Sequence, residues 1–169
     1  AGLVPIVEPE VIITGIHDIN RSYDVTSRVL EALFTQLKAY KIDLAGLILK
    51  TSMVISGQEC TTQDDAATVS DYTVRCLKNI EPAEIGGIVF LSGGQSAEQS
   101  TKNLDAINRA ATDAPWQLTF SYARALQGPS LKLWNGKDSN IPEARMKFLE
   151  RLRANSSARM GEHDSLKKV

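Results

Sequence analysis

Lysine, glutamate, serine and arginine stand in this 169-residue chain at places where they could act together on one substrate. Lys50 closes the apolar run Leu44–Leu49, which only Ala45-Gly46 interrupts. A lysine emerging from a buried strand is partly desolvated, and desolvation favours the neutral amine. A neutral amine attacks a carbonyl carbon and forms a Schiff base. Glu8 and Glu10 alternate at the end of the first apolar run, so both point to one face, and carboxylates beside Lys50 would exchange protons with a carbinolamine. Ser92-Gly93-Gly94 ends a third run just before a helical stretch. Its backbone N–H groups and the helix dipole suit an anion. Arg124 lies beyond Ser121 at the end of a fourth run and could grip a phosphate through paired hydrogen bonds. Taken singly, each has a plainer role: a lysine reaching for solvent, solvated carboxylates, a flexible turn, a surface arginine. An amine, an acid and a phosphate grip on consecutive strand ends suit a phosphorylated carbonyl compound.

The elements that must position these groups follow from periodicity. Short apolar runs at Leu3–Val7, Leu44–Leu49, Ile88–Leu91 and Trp116–Phe120 read as buried strands. Between them the apolar residues recur at helical spacing. Val25, Val29, Leu33 and Leu37 mark a helix from about Asn20 to Tyr40, broadened by Leu30 and Phe34. Val69, Thr73, Cys76 and Leu77 mark a second, for which Thr62 with Asp65 three residues on makes a capping-box variant. A third runs to about Asn108 with Leu104 and Ile107 inward, and a fourth covers Ala125–Leu133 before Asn135-Gly136. The last spans about Pro142 to Asn155, with Ala144, Phe148 and Leu152 along one face. The order βαβαβαβα(α) implies an α/β fold with a parallel sheet covered by helices, either a small doubly wound sheet or part of a (βα)₈ barrel. A whole barrel needs ~250 residues, so four strands would be half of one.

Charge and composition exclude other classes. A net charge of −1 gives no reason to expect a nucleic-acid or membrane-surface partner, and no stretch approaches the ~18 apolar residues of a membrane span. The opening residues carry no basic region or cleavage pattern of a signal peptide. Cys60 and Cys76 read as reduced thiols of a cytoplasmic protein, and His17 and His163 as surface residues, so no metal site is expected.

Six stretches of the chain resemble class I fructose-bisphosphate aldolases: Gly2–Glu10, Leu49-Lys50, Phe90–Ser96, Leu104–Asn108, Thr119–Gln127 and Lys132–Lys137. They stand in the family's order and span almost the whole chain. The resemblance implies a TIM (β/α)₈ barrel of which this chain supplies the C-terminal half over residues 1–155; the end, 156–169, is polar with few apolar anchors and is expected to be a mobile tail. It implies Lys50 as the Schiff-base lysine, Glu8 as the proton-shuttling glutamate and Glu10 as the acidic residue beside the lysine. Ser92, Gly93 and Gly94 correspond to the loop on a substrate phosphate, with Arg124 and the backbone N–H of Ala123 on the same phosphate. The implied reaction is cleavage of fructose 1,6-bisphosphate into dihydroxyacetone phosphate and glyceraldehyde 3-phosphate, without metal or cofactor, the protonated imine serving as electron sink.

Thr51-Ser52 follow the lysine where the family usually has Pro-Asn, Ala123 replaces a more common Gly, and the tail lacks a terminal Tyr. The family's aspartate and further basic residues, carried on earlier strands, have no counterpart here. The implied partners are a sugar phosphate and either an N-terminal barrel half or further copies of the chain. Little cleavage activity is expected of the chain alone. A non-catalytic scaffold and a Schiff-base lyase for another sugar phosphate are the alternatives.

Overall fold

The computed structural model describes residues 2–80 and 82–163. Strands β1 (Ile6–Val7), β2 (Ile48–Thr51), β3 (Gly87–Phe90) and β4 (Leu118–Phe120) alternate with helices α1 (Ile19–Ala39), α2 (Ala66–Ile80), α3 (Ala97–Ala110), α4 (Arg124–Trp134) and α5 (Ile141–Ala158). The strands form one parallel sheet in the order β1-β2-β3-β4. This sequential order separates the two expected architectures. A doubly wound sheet reverses its strand order at a switch point and carries helices on both faces. A sequential sheet with right-handed crossovers carries them all on one face. The chain is thus a four-strand sector of barrel type.

Burial shows the two faces. Leu49, Ile88 and Phe90 point toward the helices and are fully buried, packed with Leu30, Leu104 and Ile107 in one core. On the opposite face Ile48, Lys50, Gly87 and Val89 are half-buried, and Ile6 is 55% exposed. The sequence runs are longer than the strands they predict. Leu44–Gly46 forms a 3-10 turn, and only the last two residues of Leu3–Val7 pair with a neighbour.

Helix α1 begins at Asp18, whose carboxylate accepts from Arg21 N–H at 2.9 Å. Its buried residues are Ile19, Ser22, Thr26, Leu30 and Phe34; of the expected wide stripe Leu30 and Phe34 are buried, Leu33 and Leu37 are half-buried against the same core, and Val25 and Val29 are half-buried. The helix packs against α2. Val25 and Val29 line a shallow cavity at the β1 edge with Val11, Ile12 and His17.

The cap of α2 is Asp65, not Thr62. Its Oδ1 accepts from Thr68 N–H at 2.8 Å and its carbonyl accepts from Val69 N–H at 3.0 Å. A carboxylate outcompetes a hydroxyl here because its charge also suits the helix dipole. The Thr68 N–H holds the Asp65 carboxyl below the ordinary aspartate range. A lowered folded-state pKa means stability present above the ordinary value of 3.8 and lost as pH falls through the folded value. Asp65→Ala should therefore lower the urea midpoint at pH 7, and its gap from the parent should narrow steadily between pH 4.5 and 3. A gap of constant size over that range would show that the charge plays no part.

The segment Thr51–Gly57 after β2 is buried throughout, pinned by Val54 N–H donating to Thr73 Oγ1 at 3.0 Å. It also holds the connector between β1 and α1. Gly57 N–H donates to His17 O, Gln58 N–H to Ile13 O and Glu59 N–H to Gly15 O, all within 3.0 Å. A Cβ on Gly57 would stand 2.2 Å from the Gly15 carbonyl oxygen. That neighbour is backbone and cannot rotate away. Gly57→Ala should cost about 1–3 kcal/mol, read as a lower midpoint in urea denaturation. An unchanged midpoint would mean that the connector yields freely.

Helix α5 runs three residues beyond the boundary expected at Asn155 and ends at Ala158, which is fully buried. Beyond it His163 N–H donates to Asp105 Oδ1 on α3 at 2.8 Å. The expected tail therefore begins with residues packed on α3, and its 164–169 portion lies outside the described residues. Among the described residues no helix is long and apolar enough to cross a membrane.

Candidate active site

The carboxyl ends of the four strands converge on one cleft of about 520 Å³. Its lining includes Glu8, Glu10, Lys50, Ser52, Ser92, Gly93, Ser121, Ala123 and Arg124. The sheet register explains the convergence. Ile6 pairs with Ile48 and Val7 with Leu49, so one further step brings Glu8 level with Lys50 on the helix-free face. Lys50 Nζ lies 2.8 Å from Glu8 Oε1. The lysine side chain is 22% exposed and that of the glutamate 36%. Glu10 lines the same cleft but is exposed, and the ion pair to Lys50 is made by Glu8.

Lys50 is level with Val89, and Thr51 with Phe90, so the end of β3 emerges beside the lysine. Leu91 N–H donates to Thr51 O at 3.0 Å and Ser121 N–H to Phe90 O at 2.9 Å, carrying the ladder past the formal strand ends. Ser92 is buried and begins a turn closed by Gln95 N–H on the Ser92 carbonyl at 3.2 Å. Ser96 then caps α3, its Oγ accepting from Gln99 N–H at 3.1 Å. The two glycines differ. Gly93 lines the cleft. Gly94 does not; its φ of +77° is a left-handed conformation that favours glycine, and a Cβ there would press on Ile55 and Ile13.

Across the cleft α4 starts at Arg124 with no side-chain cap hydrogen bond, while the Leu126 N–H already donates to the Ala123 carbonyl at 3.2 Å. Ala123 has φ −99°, which any residue adopts, so alanine presents the same backbone donor that glycine would. Tyr122, between Ser121 and Ala123, is buried, and its hydroxyl donates to Ser100 O on α3 at 3.0 Å. Burial raises the Tyr122 pKa far above the ordinary phenol range, with Arg151 pulling weakly the other way, so it remains a donor.

The segment Val11–Thr14 also walls the cleft, a contribution that sequence reasoning missed. The signal was available in the apolar triplet Val11-Ile12-Ile13, too polar-flanked for a strand and too apolar for a free loop.

The model of the family described as "Fructose-bisphosphate aldolase class-I", a glycolytic family, matches residues 1–168. The chain belongs to the class-I fructose-bisphosphate aldolase family. It is 46% identical over 160 residues to a cytosolic fructose-bisphosphate aldolase of Arabidopsis thaliana, covering 95% of this chain and 41% of that one. It is 48% identical over 162 residues to a probable class 1 fructose-bisphosphate aldolase of Xanthomonas axonopodis pv. citri, covering 95% and 48%. The solved aldolase of Plasmodium falciparum, in a complex with TRAP and a small-molecule inhibitor, superimposes with a TM-score of 0.91 at 45% identity, over 95% of this chain and 46% of that one. The chain thus spans somewhat less than half the length of the aldolases it matches. Against that family background Thr51 and Ser52 are both buried, and Ser52 lines the cleft where the resemblance places Asn.

Proposed function

We propose that this chain carries the Schiff-base lysine and one phosphate site of a class I fructose-bisphosphate aldolase. The observation that supports this most is the 2.8 Å contact of Lys50 Nζ with Glu8 in a cleft that Ser92, Gly93, Ala123 and Arg124 also line. Glu8 would take a proton from the Lys50 ammonium, and the freed nitrogen would attack the ketone carbon of the sugar phosphate. Returning that proton to the carbinolamine hydroxyl releases water and leaves the protonated imine. That imine draws in the electron pair of the carbon–carbon bond as it breaks. The hydroxyl on the departing carbon gives up its proton to a base, the role left to the aspartate of the other barrel half, and becomes the aldehyde carbonyl. Glu10, which lines the same cleft, would add to the negative potential around the imine. Ser92, the Gly93 and Ala123 N–H groups and Arg124 would hold one phosphate, fixing the carbonyl against Lys50.

Fructose 1,6-bisphosphate as the substrate, and dihydroxyacetone phosphate and glyceraldehyde 3-phosphate as products, follow from the family. The aspartate and second phosphate site that the family places on earlier strands would come from an N-terminal barrel half, which would also cover the exposed Ile6 face of the sheet. A cytoplasmic site of action belongs to the same reading. The cytosolic Arabidopsis relative supports it, and chloroplastic relatives are nearly as similar.

The test is trapping. Incubation with dihydroxyacetone phosphate and borohydride should add one reduced adduct, mapped to Lys50 by peptide mass spectrometry. An adduct spread over surface lysines alone would sink the proposal and favour a scaffold.

A further inference from the structure

Arg151 lies on α5 at 4% exposure, and among the described residues its hydrogen-bond partners are two carbonyls and a hydroxyl, none a carboxylate. Its Nε donates to Ala125 O at 3.3 Å, and its Nη2 donates to Ala97 O and to Thr101 Oγ1. A buried guanidinium with neutral acceptors is costly to desolvate, but its fork of donors reaches several acceptors at once, which a hydrophobic residue cannot.

The two carbonyls give that reach a purpose. Ala97 is the first residue of α3, directly after the Ser92–Ser96 loop, and Ala125 is the second residue of α4, directly after Arg124. These helices begin at the two segments that face each other across the candidate phosphate site. The Ala125 carbonyl is available for a structural reason. Its helical partner would be the N–H of residue 129, which is Pro129 and has none. Arg151 supplies the missing donor. The arginine is in turn held in place. Asn155 Nδ2 donates to Arg151 O at 2.9 Å, and Asn155 Oδ1 lies 2.9 Å from Thr101 Oγ1. Thr101 and Asn155 are fully buried.

We propose that Arg151 is a positioning residue that sets the spacing between the Ser92-Gly93 loop and the Ala123-Arg124 turn by bridging the first turns of α3 and α4, and so tunes affinity for the phosphate of the substrate. This rests on the reading of those segments as the phosphate site. Lysine at 151 would keep the charge and the burial, but a single ammonium lacks the planar fork that reaches both helices. A displacement of a few tenths of an ångström at either side then weakens a multidentate phosphate site.

The experiment uses the 169-residue chain, its Arg151→Lys and Arg151→Met variants, and three probes: inorganic phosphate, dihydroxyacetone phosphate and unphosphorylated dihydroxyacetone. Binding is followed by the amide resonances of Gly93, Ala123 and Arg124, which also report whether each variant is folded. The expected result is that Arg151→Lys stays folded and binds both phosphate compounds about tenfold more weakly. The rate of borohydride trapping with dihydroxyacetone should be unchanged. A merely structural role would lower trapping of the phosphorylated and unphosphorylated ketones alike, and that pattern overturns the inference. So does Arg151→Lys binding phosphate as tightly as the parent, or a parent whose three amides ignore phosphate. Arg151→Met is expected to weaken binding further if it folds; if it does not, Arg151→Lys decides alone. Phosphate binding that depends on Arg151, with no adduct at Lys50 in the parent, would confirm this inference while refuting the Schiff-base reaction.

Discussion

Arg in place of Lys50 should abolish the borohydride-trapped adduct with dihydroxyacetone phosphate, a drop on the order of 10³-fold or more in trapping rate. The guanidinium keeps the charge and can still pair with Glu8, so the cleft and the fold should survive. It cannot lose its proton at any pH where the protein is folded, and without a free electron pair no carbon–nitrogen bond forms. Lys50→Arg is more informative than Lys50→Ala, because alanine would also leave Glu8 without its partner at 2.8 Å. The measurement is intact mass after reduction, paired with the phosphate titration of the Gly93 amide. That titration should match the parent, since Arg124 and the Ser92 loop approach from other strands. An adduct of undiminished yield in Lys50→Arg would locate the reactive amine elsewhere.

The second large effect is on folding. Phe90 is fully buried on the helix-facing side of β3, one of the two central strands, level with Thr51 and Phe120 on its neighbours. Phe90→Ala should cost about 3–5 kcal/mol, the transfer free energy of the ring plus that of the void left behind. Natural domains hold about 5–15 kcal/mol in total, so the loss is a large fraction of the whole. Urea titration should show a much lower midpoint, and Phe90→Leu should recover more than half of the difference. The Ser92 loop begins two residues on, so phosphate binding should fail together with the fold, not before it. A midpoint within experimental error of the parent would mean that the helices collapse onto the gap.

Much of this protein is legible in the sequence because two of its signals are strong. Continuous apolar runs ended by Lys50, Ser92 and Ser121 mark strand ends, and strand ends of a parallel sheet are where ligands bind. The alternation of those runs with helical periods predicts the sheet and its crossovers. Helix faces were less legible. Ala144, Phe148 and Leu152 form a plausible apolar stripe at four-residue spacing, yet the helix buries Ala144, Arg151, Asn155 and Ala158. A pattern read on hydrophobicity alone passes over a buried arginine, because its burial depends on carbonyls that other helices offer. The cap at Asp65 in place of Thr62 is a different miss: the capping-box spacing makes Asp65 the partner, and it is itself the cap, where its charge suits the helix dipole.

The chemistry of each group was determined by the sequence alone: an amine at a strand end, carboxylates two apart, a Gly-rich turn before a helix, an arginine past the fourth strand. Which groups meet was decided by the tertiary structure. Sheet register aligned Glu8, and not Glu10, with Lys50. It separated Gly93, which lines the cleft, from Gly94, which only turns the chain. It also brought Arg151 under two helices whose first turns are 28 residues apart in sequence, Ala97 and Ala125. Type and spacing fix what a side chain can do; its distance from residues remote in sequence is set by the packing of strands and helices, which no local pattern encodes.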